Sequence, residues 1–100
     1  MAPDTRRLAK IMKALSNENR LALYLEIAQQ QETDFEEPAC MVSSVMKLFK
    51  LSAPTISHHL KELANAELIT TERKGKFLVA RINRDTIDEV EQALSIAKGS

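Results

Sequence analysis

The spacing of apolar residues changes once along this chain, from a helical to an extended pattern, and this change restricts the fold more than any other feature. Ile56, Leu60 and Leu63 fall on one face of a helix when successive residues are placed about 100° apart. Beyond Asn65 the chain becomes rich in Thr, Ile, Val and Phe, which favour strands. The pattern predicts a helix that leads directly into extended structure.

The extended part divides into two segments, residues 68–74 and 76–82, on either side of Gly75, which predicts a β-hairpin. The turn carries three cationic residues, Arg73, Lys74 and Lys76. They belong to a basic middle third, since residues 47–84 hold eight Lys and Arg against three Asp and Glu, a net charge of +5. The remaining residues are acidic on balance, and the whole chain has a net charge of zero. These cations either lie on a solvated hairpin tip or bind phosphates.

Three helices are predicted before the helix that contains Ile56, and one helix is predicted after the hairpin. Asp4 caps the first, at about 4–15, whose apolar stripe comprises Leu8, Ile11, Met12 and Leu15. Ser16 and Asn17 end it and cap the second helix. An acidic loop closed by Pro38 leads to the third helix. Asp85 caps the last, at about 85–98, whose apolar stripe comprises Ile87, Val90, Leu94 and Ala97.

The order of elements is helix, helix, helix, short turn, helix, hairpin and helix. This order predicts a mainly α domain with a β-hairpin wing, that is, a winged helix-turn-helix of five helices and a two-stranded hairpin. The single domain spans residues 1–100, with the helix-turn-helix at about 40–66 and the wing at about 68–82. Ser52 caps the second helix of the helix-turn-helix, and Pro54 lies in its first turn, where a missing N–H costs nothing.

Short polar and basic side chains occupy the outward face of that second helix. In a helix-turn-helix the N-terminal half of this helix enters the major groove of DNA. Thr55 and His58 are therefore expected to reach base edges, with Pro54 beside them setting the approach. The wing cations are expected to clamp the flanking DNA. Further contacts with phosphates or bases are expected from Ser52, Ser57 and Lys61.

The two histidines are adjacent but face different sides of this helix. His58 points outward, where it either pairs with Glu62 on the surface or contacts DNA. His59 lies at the edge of the apolar face, where core packing is expected. A shared metal site is not expected, because neither histidine has a His or Cys four residues further along.

Two stretches of the chain resemble the ArsR/SmtB winged-helix repressors. The first, ALSNENRLALYLEIA, is similar to the family's second-helix signature, and the second, LSAPTISHHLKELANAELITTERKGKFLVARI, to its recognition helix and wing. The resemblance covers about residues 8–84 and implies a dimeric DNA-binding repressor of bacteria or archaea, for which an inverted-repeat operator in double-stranded DNA is expected. It also implies that the first and last helices form the dimer interface. The expected interface residues are Leu8, Ile11, Met12, Leu15, Ile87, Val90 and Leu94.

The chain departs from the family pattern at two places. Glu67 stands where the family usually has Gly, and it is strained if that position requires a positive φ. Many members carry a pair of cysteines at the start of the third helix, where this chain has Met41 and Ser43. The last helix has no His or Cys, which another common metal site would need. No metal and no cofactor are therefore expected.

Cys40, the single cysteine, lies one residue before the first of those positions. It is either a small, partly buried apolar residue or a redox switch. One thiol cannot form an internal disulfide, which favours a reducing compartment, and neither a signal peptide nor a membrane-spanning run is visible. A cytoplasmic protein that contacts no membrane is expected. No arrangement of residues typical of an enzyme active site is present in the sequence.

A second function is left open by the zero net charge, namely a winged-helix module that docks on another protein and does not bind DNA. Such a module should expose apolar residues on the outer face of the second helix of the helix-turn-helix. The chain instead places Thr, His, Lys and Asn there, so a sequence-specific DNA-binding transcriptional regulator is the main hypothesis. The target genes, the inducer and the choice between repression and activation are not determined by the sequence.

Overall fold

The computed structural model describes residues 3–31, 40–41, 51–75 and 77–99. The helices among them are α1 (Thr5–Leu15), α2 (Glu18–Gln31), α3 (Ala53–Asn65) and α4 (Arg84–Ser95), and a 3-10 turn, Ile96–Lys98, extends the last. The strands are β1 (Cys40–Met41), β2 (Ile69–Lys74) and β3 (Phe77–Ile82). The mainly α architecture with a hairpin wing is thus confirmed. The predicted third helix, beyond Met41, lies outside the described residues, so the predicted fourth and fifth helices are α3 and α4.

Side-chain caps set the corner between α1 and α2, as the sequence predicted. Asp4 accepts a hydrogen bond from the backbone N–H of Arg7 at 3.1 Å and begins α1. The Ser16 hydroxyl donates to the Lys13 carbonyl at 2.7 Å where α1 ends. Asn17 then accepts from the N–H of Arg20 at 3.0 Å and begins α2. The caps fix the point at which the chain turns.

The sheet has the strand order β1-β3-β2 and is antiparallel throughout. Strands β2 and β3 form the predicted hairpin, whose register runs from Ile69 opposite Ile82 to Lys74 opposite Phe77. The sequence does not predict the additional strand β1, because its pattern places residues 40–41 at the start of the helix-turn-helix. Two residues are too few to show an alternating pattern, and the β3 residues that pair with them, Val79 and Ala80, are distant in sequence.

The end of α3 is a Schellman motif built around a glutamate. Ala66 is the C-cap, and Glu67 has a φ of +61°. The N–H of Leu68 donates to the Leu63 carbonyl at 3.0 Å, and that of Glu67 to the Ala64 carbonyl at 3.0 Å. Leu63 and Leu68, the two residues whose apolar contact usually accompanies this motif, are fully buried. The position does require a positive φ, which was the condition under which Glu67 is strained.

The core lies where α1, α2, α3 and the sheet meet. The inner face predicted for α3 is confirmed, since Ile56, Leu60 and Leu63 are all buried. They pack in one cluster with residues of α2 such as Leu23 and Ile27. The outer face of α3 is thereby left to solvent. None of the described helices is long and apolar enough to cross a bilayer.

Candidate nucleic-acid interface

The outer face of α3 presents most of the side chains that the sequence assigned to DNA contact. Pro54, Ser57, His58 and Lys61 are exposed along it, and Asn65 continues the face toward the C-terminus. The face is therefore polar and carries a cation beside the histidine. Because the opposite side of α3 is buried in the core, the helix presents this face in one fixed orientation.

Two hydroxyl groups lie together at the N-terminus of α3. Ser52 Oγ accepts from the N–H of Thr55 at 3.3 Å, which makes Ser52 the predicted N-cap. The same Oγ lies 2.8 Å from Thr55 Oγ1, so one hydroxyl donates to the other. Both residues act first as part of the helix cap. Whichever hydroxyl donates, Thr55 Oγ1 retains a lone pair with which to accept a further hydrogen bond.

His59 belongs to the core, as its position on the helix predicted. It is 5% exposed, and its Nδ1 accepts a hydrogen bond from Arg20 Nε at 3.3 Å. Burial, the neighbouring guanidinium and His58 lower the pKa of His59, in that order of importance. Arg20 Nη1 also donates to the Ala14 carbonyl at 3.2 Å. One arginine thus ties the end of α1 to α3.

The wing stands beside α3 and exposes Arg73 near its tip. Gly75 has a φ of +61°, a conformation that a glycine adopts without strain at a tight turn. Below the tip, Arg81 forms a 2.8 Å ion pair with Glu72 of the adjacent strand. Lys76 and the side chain of Lys74 lie outside the described residues, so their contacts with DNA remain predictions.

A polar cluster joins α1, α4 and the turn that ends α3. Arg7 Nε donates to both carboxylate oxygens of Glu89, at 2.9 and 3.1 Å. Its Nη1 lies 3.3 Å from the Glu67 carboxylate, and its Nη2 is 3.5 Å from the Thr86 hydroxyl. Buried Thr86 donates in turn to the Glu67 carbonyl at 2.6 Å. The side chain and backbone of Glu67 are therefore both held.

The residues predicted for the dimer interface divide into two sets. Met12 and Leu94 are 38% and 55% exposed, whereas Ile11 and Val90 are 1% and 6% exposed within their own chain. Ile11 and Val90 are core residues, so they do not line a surface. The other three members are partly buried and pack against the core, namely Leu8, Leu15 and Ile87. Ile96, which the sequence did not single out, is 64% exposed just beyond Leu94.

Cys40 lies in β1, where its backbone pairs with Ala80. The placement of its thiol lies outside the described part of the structure, so its redox role remains a prediction. Among residues 3–31, 40–41, 51–75 and 77–99, no three side chains of His, Cys, Asp or Glu come together as a metal site.

Known proteins with similar sequences decide the family. The model of the bacterial regulatory proteins of the arsR family matches residues 35–71. The arsenical resistance operon repressor of Staphylococcus xylosus is 33% identical over 95 residues, covering 95% of this chain and 84% of that one. The corresponding repressor of Staphylococcus aureus shows the same identity and coverage. The chain belongs to the ArsR family.

Solved structures of ArsR-family regulators share the fold. A crystal structure of an ArsR family transcriptional regulator superposes with a TM-score of 0.81 at 22% identity, covering 99% of this chain and 94% of that one. A second neighbour is the homodimeric winged helix-turn-helix DNA-binding domain of a possible ArsR-family regulator from Mycobacterium bovis. It has a TM-score of 0.69 at 22% identity and covers 94% of this chain and 81% of that one.

Sequence reasoning missed the residues that hold the interface of this ArsR-family chain in place. Arg7, Arg20 and Thr86 lie far in sequence from the groups they bind, so no local pattern indicated them. One signal was available for Arg7 and Thr86, namely the family's usual glycine replaced by Glu67. A glutamate held in a strained left-handed conformation is expected to have an ion-pair or hydrogen-bond partner that offsets the strain. For Arg20 and His59 the sequence offered only a polar residue on each helix.

Proposed function

We propose that this ArsR-family chain is a homodimeric repressor that binds an inverted repeat in double-stranded DNA, in the cytoplasm and without a metal cofactor. The observation that carries the proposal is the polar and basic outer face of α3, fixed from behind by the core. The similar repressors from staphylococci and the homodimeric neighbour from Mycobacterium bovis support it. Two half-sites about one helical turn apart are expected, because a two-fold dimer presents two such helices.

Each side chain has a stated role in this proposal. His58 and Thr55 reach base edges from the N-terminal half of α3. Ser57 and Lys61, further round the exposed face, contact phosphates or bases, and Ser52 adds its hydroxyl at the cap. Arg73 on the wing binds the flanking backbone, together with Lys74 and Lys76. Pro54 brings the helix end close to the groove without presenting an N–H.

The exposed apolar residues at the two ends of the chain support dimerisation. Met12 of α1, Leu94 of α4 and Ile96 are large and solvent-facing in the single chain. Leu8 and Ile96 line the same depression of about 310 Å³, which lies between the start of α1 and the last turns of α4. A partner chain would remove these groups from water, which favours association. Ile11 and Val90 belong to the core cluster against which Leu8 packs.

Docking of α3 on another protein is not favoured by this face. The exposed side chains between Pro54 and Asn65 are polar or charged, with no large apolar group among the described ones. Protein interfaces concentrate aromatic and apolar residues at their centres. A winged-helix module that docks on another protein is therefore considered only as one outcome of the DNA-binding test.

The test is a titration of labelled DNA from upstream of the protein's own gene against scrambled DNA of equal length. It is run at two salt concentrations with no metal and no oxidant added. Preference for the upstream fragment that persists at the higher salt supports the proposal. Nonspecific binding depends on the release of counterions from DNA, so it weakens as the salt concentration rises. A folded dimer that binds neither fragment would reject DNA binding and favour the protein-docking module.

Two variants separate the roles within the same titration. His58→Ala should lower the preference for the operator by about 1–3 kcal/mol, since it removes a base contact. Arg73→Ala should weaken operator and scrambled DNA alike and make the salt dependence shallower, as expected for a phosphate contact. Identical behaviour of the two variants would contradict this division of roles.

A further inference from the structure

The exposed face of α3 is bordered by a groove on each side. On the wing side, a groove of about 260 Å³ is lined by Ser57 and Lys61 of α3 and by Thr71 of β2. On the other side lies a larger groove of about 580 Å³, which we call the corner groove. Its wall on α3 is formed by His58 and Glu62, one turn apart. The helix therefore separates two distinct surfaces.

The corner groove is completed by residues distant in sequence from α3. Lys10 and Lys13, both exposed and one turn apart on α1, form its opposite wall with Ser16 and Asn17. Arg20 also lines it, and its bonds to His59 and to the Ala14 carbonyl fix the guanidinium there. Among the described residues that line the groove, three cations face one carboxylate, that of Glu62, so this lining is net positive even with neutral histidine.

This charge could not be seen in the linear sequence. Lys10, Lys13 and Arg20 belong to the first 46 residues, which hold five cations against seven carboxylates. The fold brings three of those five cations beside α3. The basic surface is thereby extended from the middle third of the chain onto α1 and the corner that follows it.

The position of the corner groove beside α3 indicates which anion it fits. A recognition helix in the major groove, which is about 12 Å wide, has one DNA backbone on each side of it. The wing lies on one side of α3, and the corner groove lies on the other. Repeated phosphate charges along a backbone suit two lysines on successive turns of a helix, which meet them as flexible point charges.

We propose that the corner groove binds the phosphodiester backbone of the DNA strand on the side of α3 opposite the wing, with Lys10 and Lys13 as the neutralising groups. The inference rests on the proposed function, because it requires α3 to enter the major groove. It adds a phosphate-binding surface on α1, an element otherwise assigned to dimerisation. Arg20 contributes a fixed positive charge, and His58 lies where the groove meets the base-reading face.

The test measures the salt dependence of DNA binding for the double variant Lys10→Gln with Lys13→Gln. The control variant is Arg84→Gln with Lys98→Gln, which removes two exposed cations that do not line the groove. Glutamine retains helix propensity, and thermal unfolding confirms that both variants are folded. The dependence of log K on log salt is measured with operator and with scrambled DNA.

The slope should become shallower by about 0.9 for each lysine that neutralises a phosphate, or about 3.6 for the four lysines of a homodimer. This change should appear with both DNAs, while the ratio of operator to scrambled affinity stays the same. The control should keep the wild-type slope. A further variant, Glu62→Gln, should strengthen binding to both DNAs, and this opposite sign separates a charge effect from loss of structure.

Each other outcome overturns the inference. Wild-type binding to the operator with an unchanged slope in the double lysine variant rejects the corner groove and leaves the proposed function standing. An equal change in the control variant shows a general charge effect and also rejects it. If the folded wild-type dimer binds neither DNA, the proposed function fails, and the inference fails with it.

Discussion

Glu67 shows how one residue combines a local cost with a tertiary contact. Its left-handed backbone disfavours any side chain with a Cβ, by about 1 kcal/mol relative to glycine. Its carboxylate contacts Arg7, and its carbonyl accepts from Thr86. The sequence indicated the strain through the family's usual glycine. The partners were beyond prediction because they come from both ends of the chain.

Two substitutions separate these effects at position 67. Glu67→Ala keeps the backbone strain and removes the contact with Arg7, whereas Glu67→Gly removes both. The glycine variant should therefore be more stable than the alanine variant by about 1 kcal/mol. Urea denaturation of both proteins measures the difference. Equal free energies of unfolding would show that the conformation at this position carries no cost.

The lowered pKa of His59 makes stability depend on pH. The unfolded chain binds a proton as pH falls through about 6.5, while folded His59 resists protonation because it is buried and because the guanidinium of Arg20 donates to its Nδ1. The unfolded state therefore holds more protons below that pH, and stability should fall with pH there. Urea denaturation between about pH 7.5 and pH 5.5 should show a smaller loss for His59→Gln than for wild type.

The adjacent histidine supplies the matched control. His58 is exposed and is the weakest of the three causes that lower the pKa of His59, so His58→Gln should reduce the dependence of stability on pH by less than His59→Gln does. If the loss of stability is the same in wild type and in both variants, other groups cause it, and the role given to His59 is wrong.

The elements were predictable to different degrees, for physical reasons. Helices α1 to α4 and the β2–β3 hairpin follow from apolar periodicity and local turns, and α1, α2 and α3 also from their predicted caps. The predicted cap of α4 is wrong, because its N-cap is Asn83, which makes no side-chain cap bond, and Asp85 lies in the first turn. Strand β1 depends on pairing with distant β3, which leaves no local pattern. Periodicity also identifies an apolar stripe without showing what covers it. The stripes of α1 and α4 therefore mixed the core residues Ile11 and Val90 with the exposed Met12 and Leu94.

Helix α3 provides a test that separates folding from recognition. Ser52→Ala removes the N-cap hydroxyl and should lower the free energy of unfolding by about 0.5–2 kcal/mol. Ser57→Ala, at an exposed position in the same helix, should leave stability within about 0.5 kcal/mol of wild type. Chemical denaturation compares the two. Equal destabilisation by both changes would mean that Ser52 is not an effective cap.

At the scale of the whole molecule, homodimer formation should be weakened by a charge introduced among the exposed apolar residues of the first and last helices. Leu94→Lys places a cation among the exposed apolar groups assigned to the dimer interface and should shift the protein toward monomer. Leu25→Lys, at an equally apolar position 51% exposed on α2, should leave the dimer intact. Sedimentation velocity measures both. Dissociation by Leu25→Lys alone would move the interface to α2.

The bond between Arg7 and Glu89 also limits how early α1 can complete its native contacts during synthesis. The two residues are 82 positions apart. At a translation rate of about 5–20 residues per second, Glu89 is added roughly 4–16 s after Arg7. Throughout that interval α1 has been made but lacks both Glu89 and Thr86. The first helix to leave the ribosome thus acquires its contacts with α4 among the last in the fold.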